Sequence, residues 1–167
     1  MRNIELKARC TDLEAMRERV ERLGASYAGT FEQRDTFFAA DAARLKLREF
    51  EDGRGELIAY RRADEPGPRD SEYRVWATAE PEGLRAVLAH ALPLAGVVEK
   101  RRRLYLLERT RIHLDAVRGL GSFVELETVL AGQPEREARA ELARVAAALG
   151  LAAEQFVAHA YVDLAGG

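Results

Sequence analysis

The chain carries charge in rows with a spacing of two. Near the N-terminus, in "NIELKARC", Asn3, Glu5, Lys7 and Arg9 alternate with Ile4, Leu6 and Ala8. Arg44, Lys46 and Arg48 alternate with Leu45 and Leu47, and Lys100 and Arg102 share a parity in "VVEKRRRLY". Arg111, His113 and Asp115 alternate with Ile112 and Leu114, and Glu125 and Glu127 with Val124 and Leu126. Residues two apart project to the same side of a β-strand, so each row is one charged strand face. A single such face is what an ordinary sheet shows to water. The rows are biased in sign, however, whereas a wet face mixes acids with bases. Arg44, Lys46 and Arg48 have no acid among them, and like charges held side by side on one face oppose each other. A bound polyanion removes that cost. Glu125 and Glu127 on one face, with Glu5 on another, supply the hard oxygens that Mg²⁺ or Mn²⁺ takes, leaving other positions to water and phosphate. Cations for phosphate beside carboxylates for a divalent ion are the equipment of phosphoryl transfer.

The elements that must position these rows follow from periodicity. "NIELKARC", "QRDTFF", "ARLKLREF", "ELIAYRR", "SEYRVWAT", "VVEKRRRLYLLER", "TRIHLDAV" and "SFVELETVL" read as strands. Thr11 and Glu14 form a T-x-x-E capping box ahead of a helix with Leu13, Met16, Val20 and Leu23 on one face, stopped by Gly24. Pro81 opens a second helix and Pro134 a third, the latter ended by Gly150. Asp52-Gly53 marks a hairpin, "RGLGS" a tight turn, "ADEPGPRD" a loop, and "EQFVAHAYVDLA" a short terminal helix. The class is α+β with a mostly antiparallel sheet. If that sheet closes, the charged faces point into one polar tunnel and the apolar faces point outward under the helices. This inverts an ordinary small barrel, whose interior is packed with side chains.

Bulk properties narrow the setting. The 167 residues suit one domain, 1–167, with a sizeable core. The net charge of −2 gives no general attraction to nucleic acid, and no apolar run reaches the ~18–20 residues of a membrane helix. The first strand begins too early for a signal peptide, and the single Cys10 excludes an internal disulfide. A reducing cytoplasm is the simplest reading.

These motifs together resemble the CYTH superfamily, the triphosphate tunnel metalloenzymes. The E-x-E-x-K signature of the first strand reads here Asn3-Ile4-Glu5-Leu6-Lys7. "RLKLRE", "VVEKRRRLY", "IHLDAVRGLGSFVELE" and the closing "AYVDL" also look like the family, most like its class IV adenylyl cyclase branch. The resemblance runs from Asn3 to about Leu164 and implies a closed eight-stranded antiparallel tunnel with a polar interior and helices packed outside. It implies metal ligands at Glu5, Glu125 and Glu127, with Mg²⁺ or Mn²⁺ bound. It implies phosphate contacts at Lys7, Arg44, Lys46, Arg48, Lys100 and Arg102. Asp115 is expected in the tunnel near metal or substrate, and Arg61 where the family more often has lysine. Glu5, Lys7, Arg61 and Asp115 are thus the expected catalytic set. Asn3 departs from the signature and brings no charge, which implies a weaker second metal site or none.

The resemblance implies an enzyme acting on a small-molecule triphosphate, first of all a cyclase converting ATP to cyclic AMP and pyrophosphate. The alternatives are a triphosphatase and a triphosphate-binding module without turnover. Family members are often dimers, but no apolar patch in the sequence demands a homodimer. Among other residues, His113 reads as a tunnel-wall or hydrogen-bonding group rather than a base, because proximity to Ser122 along a hairpin is not triad geometry. "GLGS" lacks the strand-to-helix context of a phosphate loop. Cys10 reads as packing, and Tyr161 and Asp163 either close one tunnel mouth or dock a plain helix.

Overall fold

The computed structural model describes residues 1–165, so the last two positions of the expected 1–167 domain lie outside the described residues. Eight strands form the fold: β1 (Arg2–Arg9), β2 (Ser26–Phe38), β3 (Arg44–Phe50), β4 (Gly55–Arg62), β5 (Arg69–Thr78), β6 (Leu94–Leu107), β7 (Thr110–Val117) and β8 (Gly121–Val129). They close in the order β1-β5-β4-β3-β2-β6-β7-β8, every neighbour antiparallel. Closure leaves no strand edge open to another chain. The helices are α1 (Leu13–Arg22), α2 (Pro81–Ala91), α3 (Glu135–Ala148) and α4 (Tyr161–Ala165), with a single 3-10 turn at Ala153–Gln155. None is long and apolar enough to cross a membrane.

The alternation of side chains divides the strands as the sequence predicts. Ile4 and Leu6 of β1, Ile112 and Leu114 of β7, and Val124 and Leu126 of β8 point outward. They meet Met16 and Val20 of α1 and Leu142, Val145 and Leu149 of the α3 side in one buried core. That core therefore lies outside the barrel, and its burial leaves the barrel interior free for polar groups. Leu47 of β3 is fully buried on the same outward phase, between Thr36 and Leu57 in register, on the side where α2 packs. Leu47→Ala is expected to cost about 2–5 kcal/mol in chemical denaturation, as buried leucine truncations do.

Local chemistry differs from expectation in three places. The cap of α1 is Asp12, not Thr11: its Oδ1 accepts from the backbone N–H of Glu14 and Ala15 at 3.1 and 2.9 Å. A carboxylate there also suits the positive end of the helix dipole. Arg69 and Asp70, read as loop, begin β5. The tail is not one helix: an extended stretch separates the 3-10 turn from α4. Its Val157 N–H donates to the Lys7 carbonyl at 2.9 Å, which fastens the tail to β1. The Asp52-Gly53 hairpin forms as expected, with Gly53 at φ +81°, a conformation costly for any residue with a Cβ.

Candidate active site

The barrel encloses a cavity of about 820 Å³. Its walls are the inward phase of every strand, among them Asn3, Glu5 and Lys7 of β1, Lys46 and Arg48 of β3, Lys100 and Arg102 of β6, and Glu125 and Glu127 of β8. The cations do not stand free. Asp35, fully buried on β2, gathers three of them. Lys100 Nζ donates at 2.7 Å and Lys46 Nζ at 2.9 Å to its Oδ2, while Arg48 Nε donates at 2.8 Å to its Oδ1. The register explains the convergence, because Asp35 lies opposite Arg48 on one side and beside the Lys100 position on the other. Burial disfavours the Asp35 charge, but Arg48, Lys100 and Lys46 outweigh it and hold the carboxyl well below its usual range.

A second knot lies at the other side of the bore. Arg102 forks onto Asp115 at 2.7 and 2.6 Å and also donates to Glu125 Oε2 at 2.7 Å. Lys7 Nζ is 3.5 Å from Glu125 Oε1. Glu125, though penalised by burial, is held well below the usual carboxylate range by Lys7, a hydrogen bond from His113, and Arg102. His113 Nδ1 stands 3.5 Å from Glu125 Oε2 and 3.9 Å from Glu127 Oε1. His113, Glu125 and Glu127 bring one ligand atom each to within 4.8 Å of one another. The two carboxylates are the hard oxygen donors that Mg²⁺ and Mn²⁺ take, so they fit a divalent ion, with the softer imidazole of His113 beside them. Arg111 Nη2 lies 2.9 Å from Glu127 Oε2 and donates to the Tyr73 hydroxyl at 3.0 Å.

Glu5 lies opposite Glu127 in register, but its carboxylate turns the other way. Its Oε1 accepts from Arg69 Nε at 2.9 Å and Arg62 Nη1 at 3.1 Å. Both arginines also donate to the Ala158 carbonyl, so β4, β5 and the tail meet at Glu5. The tail closes this end of the bore. Tyr161 is buried, its hydroxyl donates to Asp115 Oδ2 at 2.9 Å, and Lys7 Nζ sits 3.8 Å over its ring. Burial and Asp115 push the Tyr161 phenol well above its ordinary pKa, so it stays a donor.

The opposite end carries aromatic and apolar side chains beside Arg54 and Glu56. Phe31 and Phe50 meet there edge to face, 6.3 Å between ring centres, near Leu104, Val75 and Ala77. A Cβ on Gly29, at φ +145°, would lie 2.9 Å from the Phe31 ring, so this glycine lets the ring lie back against the wall. Two amide oxygens of the cavity wall, Asn3 Oδ1 and Gln33 Oε1, are buried without a hydrogen-bond partner. Such acceptors are costly unless a ligand supplies donors.

Most sequence-expected residues come together, and three do not reach the bore as expected. Arg61 points outward, its Nε donating to the Ala42 carbonyl at 2.9 Å; the inward arginine of β4 is Arg62. Arg44 lies at the plugged end, paired with Asp64 at 2.6 Å and Asp163 at 2.8 Å. Asp115 is not on the cavity surface but behind Arg102, which it orients. Residues that sequence reading missed are Asp35, Arg62, Arg69 and Arg111 as ion partners, and His113 as the third member of the acid cluster. The parity of "TRIHLDAV" with Glu125 and Glu127 is the signal that carries His113 and Arg111.

Burial lowers Lys100 to about 7, against the opposing pull of Asp35 and with Arg48, Arg102 and Lys46 adding to the fall. At pH 8 Lys100, without an anion beside it other than Asp35, is therefore largely neutral. A polyanion beside it favours the ammonium and raises its pKa. On binding tripolyphosphate at pH 8, wild type is expected to take up more protons than Lys100→Arg, the difference approaching about one per site and shrinking at pH 6. Calorimetry in buffers of different ionisation enthalpy reads the difference, in which the ligand's own protons cancel; no difference at pH 8 would contradict it.

A family model described as CYTH domain matches residues 1–161. Among proteins of curated function, none matches the sequence. The fold is similar to the PH1012 protein of Pyrococcus horikoshii, with TM-score 0.88 and 26% identity over 97% of this chain and 98% of that one. It is similar to a candidate adenylate cyclase from Vibrio parahaemolyticus, with TM-score 0.82 and 18% identity over 99% and 98%. It is also similar to a candidate adenylyl cyclase from Hippeastrum whose dominant activity is that of a triphosphatase, with TM-score 0.67 and 18% identity over 98% and 93%.

Proposed function

The chain belongs to the CYTH domain family, whose triphosphate tunnel enzymes are metal-dependent, and on that footing we propose an enzyme that turns over a triphosphate inside the barrel. The leading reaction is that of a class IV adenylyl cyclase, ATP to cyclic AMP and pyrophosphate. The observation that carries the reading is the convergence of Lys7, Lys46, Arg48, Lys100 and Arg102 with Glu125, Glu127 and His113 on one cavity. Charge of both kinds is costly to bury, and a metal–polyanion complex is the ligand that uses both.

In this reading the five cations hold phosphate oxygens, and Asp115 and Tyr161 fix Arg102 and Lys7 in place. Glu125 and Glu127, with His113, hold Mg²⁺ or Mn²⁺. Glu5 faces Glu127 in register and joins the same site once Arg62, the one of its two arginines that lines the cavity, turns to phosphate. The metal supplies charge to neutralise the phosphate oxygens and to polarise the phosphorus. The chain's own part is to align the phosphates for in-line attack and to stabilise charge as it develops. The plugged end and the open Phe31–Phe50 mouth orient the substrate, with its phosphates inward and its organic part at the mouth. The unpartnered oxygens of Asn3 and Gln33 favour an organic group bearing donors over a bare inorganic chain.

Hydrolysis is the second reading. A cavity of about 820 Å³ that is open at one end leaves water beside a bound triphosphate. The test is one panel of ATP, GTP, thiamine triphosphate and tripolyphosphate with Mg²⁺ and with Mn²⁺, products identified. Cyclic nucleotide with pyrophosphate is the cyclase result, and orthophosphate the triphosphatase result. Tight binding with no product leaves a binding module. The single cysteine, buried and unpaired, fits a reducing cytoplasm as its setting.

A further inference from the structure

Each of the three candidate metal carboxylates of the bore is paired with a cation of the chain itself. Glu127 carries Arg111, Glu125 carries Arg102 and Lys7, and Glu5 carries Arg69 and Arg62. Two of these guanidiniums are incompletely satisfied where they stand: Arg111 Nε and Arg69 Nη2 are buried with no acceptor. A divalent ion entering alone must displace a guanidinium from a carboxylate and then sit beside the displaced charge. A polyanion entering alone must draw the cations off the carboxylates and then face bare acids. When both enter, each takes the partner that the other vacates, and the spare N–H of Arg111, which lines the cavity, gains an oxygen acceptor.

From this exchange we infer that the metal and the triphosphate load together, and that Arg111 is the residue that keeps the metal site shut without the triphosphate. Arg111 is singled out by position. It lies opposite Glu127 in register, it holds that carboxylate at 2.9 Å, and about a third of its side chain is exposed. It can swing without unpacking the barrel, whereas Arg102 is locked by Asp115. The inference rests on the triphosphate reading of the bore and adds to it a rule for order of binding. Coupling of this kind is reciprocal, so each ligand strengthens the other by the same factor.

The test measures Mn²⁺ binding to the full chain by calorimetry and by the paramagnetic resonance of free Mn²⁺. The probes are Mn²⁺ alone, imidotriphosphate alone with chelator, and the preformed Mn²⁺–imidotriphosphate complex; the imido bridges prevent turnover. Wild type is expected to bind the complex at least about tenfold more tightly than either component. Arg111→Met is expected to tighten bare Mn²⁺ by about tenfold and to shrink the coupling. Arg111→Lys, which keeps the charge, is expected to behave like wild type. Equal affinity of wild type for bare Mn²⁺ and for the complex overturns the inference, as does Arg111→Met with unchanged bare-metal affinity. Both of those results leave the triphosphate reading standing. Failure of wild type to bind imidotriphosphate with any metal removes that reading and the inference with it. The wild-type comparison decides the coupling even if a variant does not fold.

Discussion

Asp35→Asn is expected to cost about 3–5 kcal/mol of stability, the range seen when one partner is removed from a buried ionic network. The carboxylate holds Lys46, Arg48 and Lys100 within 2.9 Å, and each is nearly buried. Asparagine keeps the shape and one acceptor but removes the charge that offsets three desolvated cations. Lys100, already lowered to about 7 with Asp35 present, loses its main counter-charge and turns neutral at physiological pH. The variant should therefore unfold at markedly lower denaturant or temperature, and added tripolyphosphate should restore much of the loss, because its oxygens replace the missing charge. Asp35→Asn with wild-type stability would show that the three cations are solvated and not held by Asp35.

Glu127→Ala should do the reverse, leaving stability nearly intact and removing turnover. Its partner Arg111 is about a third exposed and can turn to water, so the expected cost is well below that of Asp35→Asn. A side chain that merely orients a metal ligand is worth about 10–100-fold, and loss of a ligand itself should exceed that range. Turnover of whichever triphosphate proves active should fall more than about 100-fold, with Mn²⁺ affinity for the loaded site falling alongside. Wild-type turnover in Glu127→Ala would take this residue out of the metal site and leave Glu125 with His113.

The sequence reaches far here because a strand's period of two is local. Whether Lys46 or Leu47 shares a face with Arg48 is fixed by bond geometry before any tertiary contact forms. The rows at 44–48, 100–102, 111–115 and 125–127 thus gave the polar interior and the outward core. "ELIAYRR" shows where that logic stops. Ile58 and Tyr60 are as apolar as Leu57 and Ala59, so the pattern has no phase, and of two adjacent arginines the sequence offered Arg61 where the barrel takes Arg62 inward. Arg69 was hidden by the prolines before it, which mark a loop but not the residue at which pairing resumes.

What the sequence determined by itself is which side chains share a face, and with it the sign of charge along each wall. Only the tertiary structure decided which walls meet. Asp35 under three cations, Arg111 on Glu127, Glu5 turned to Arg62 and Arg69, and Tyr161 across the floor all join strands or segments far apart in the chain. Strand register and barrel closure set those pairings, and both depend on the packing of the whole sheet, which no local period encodes.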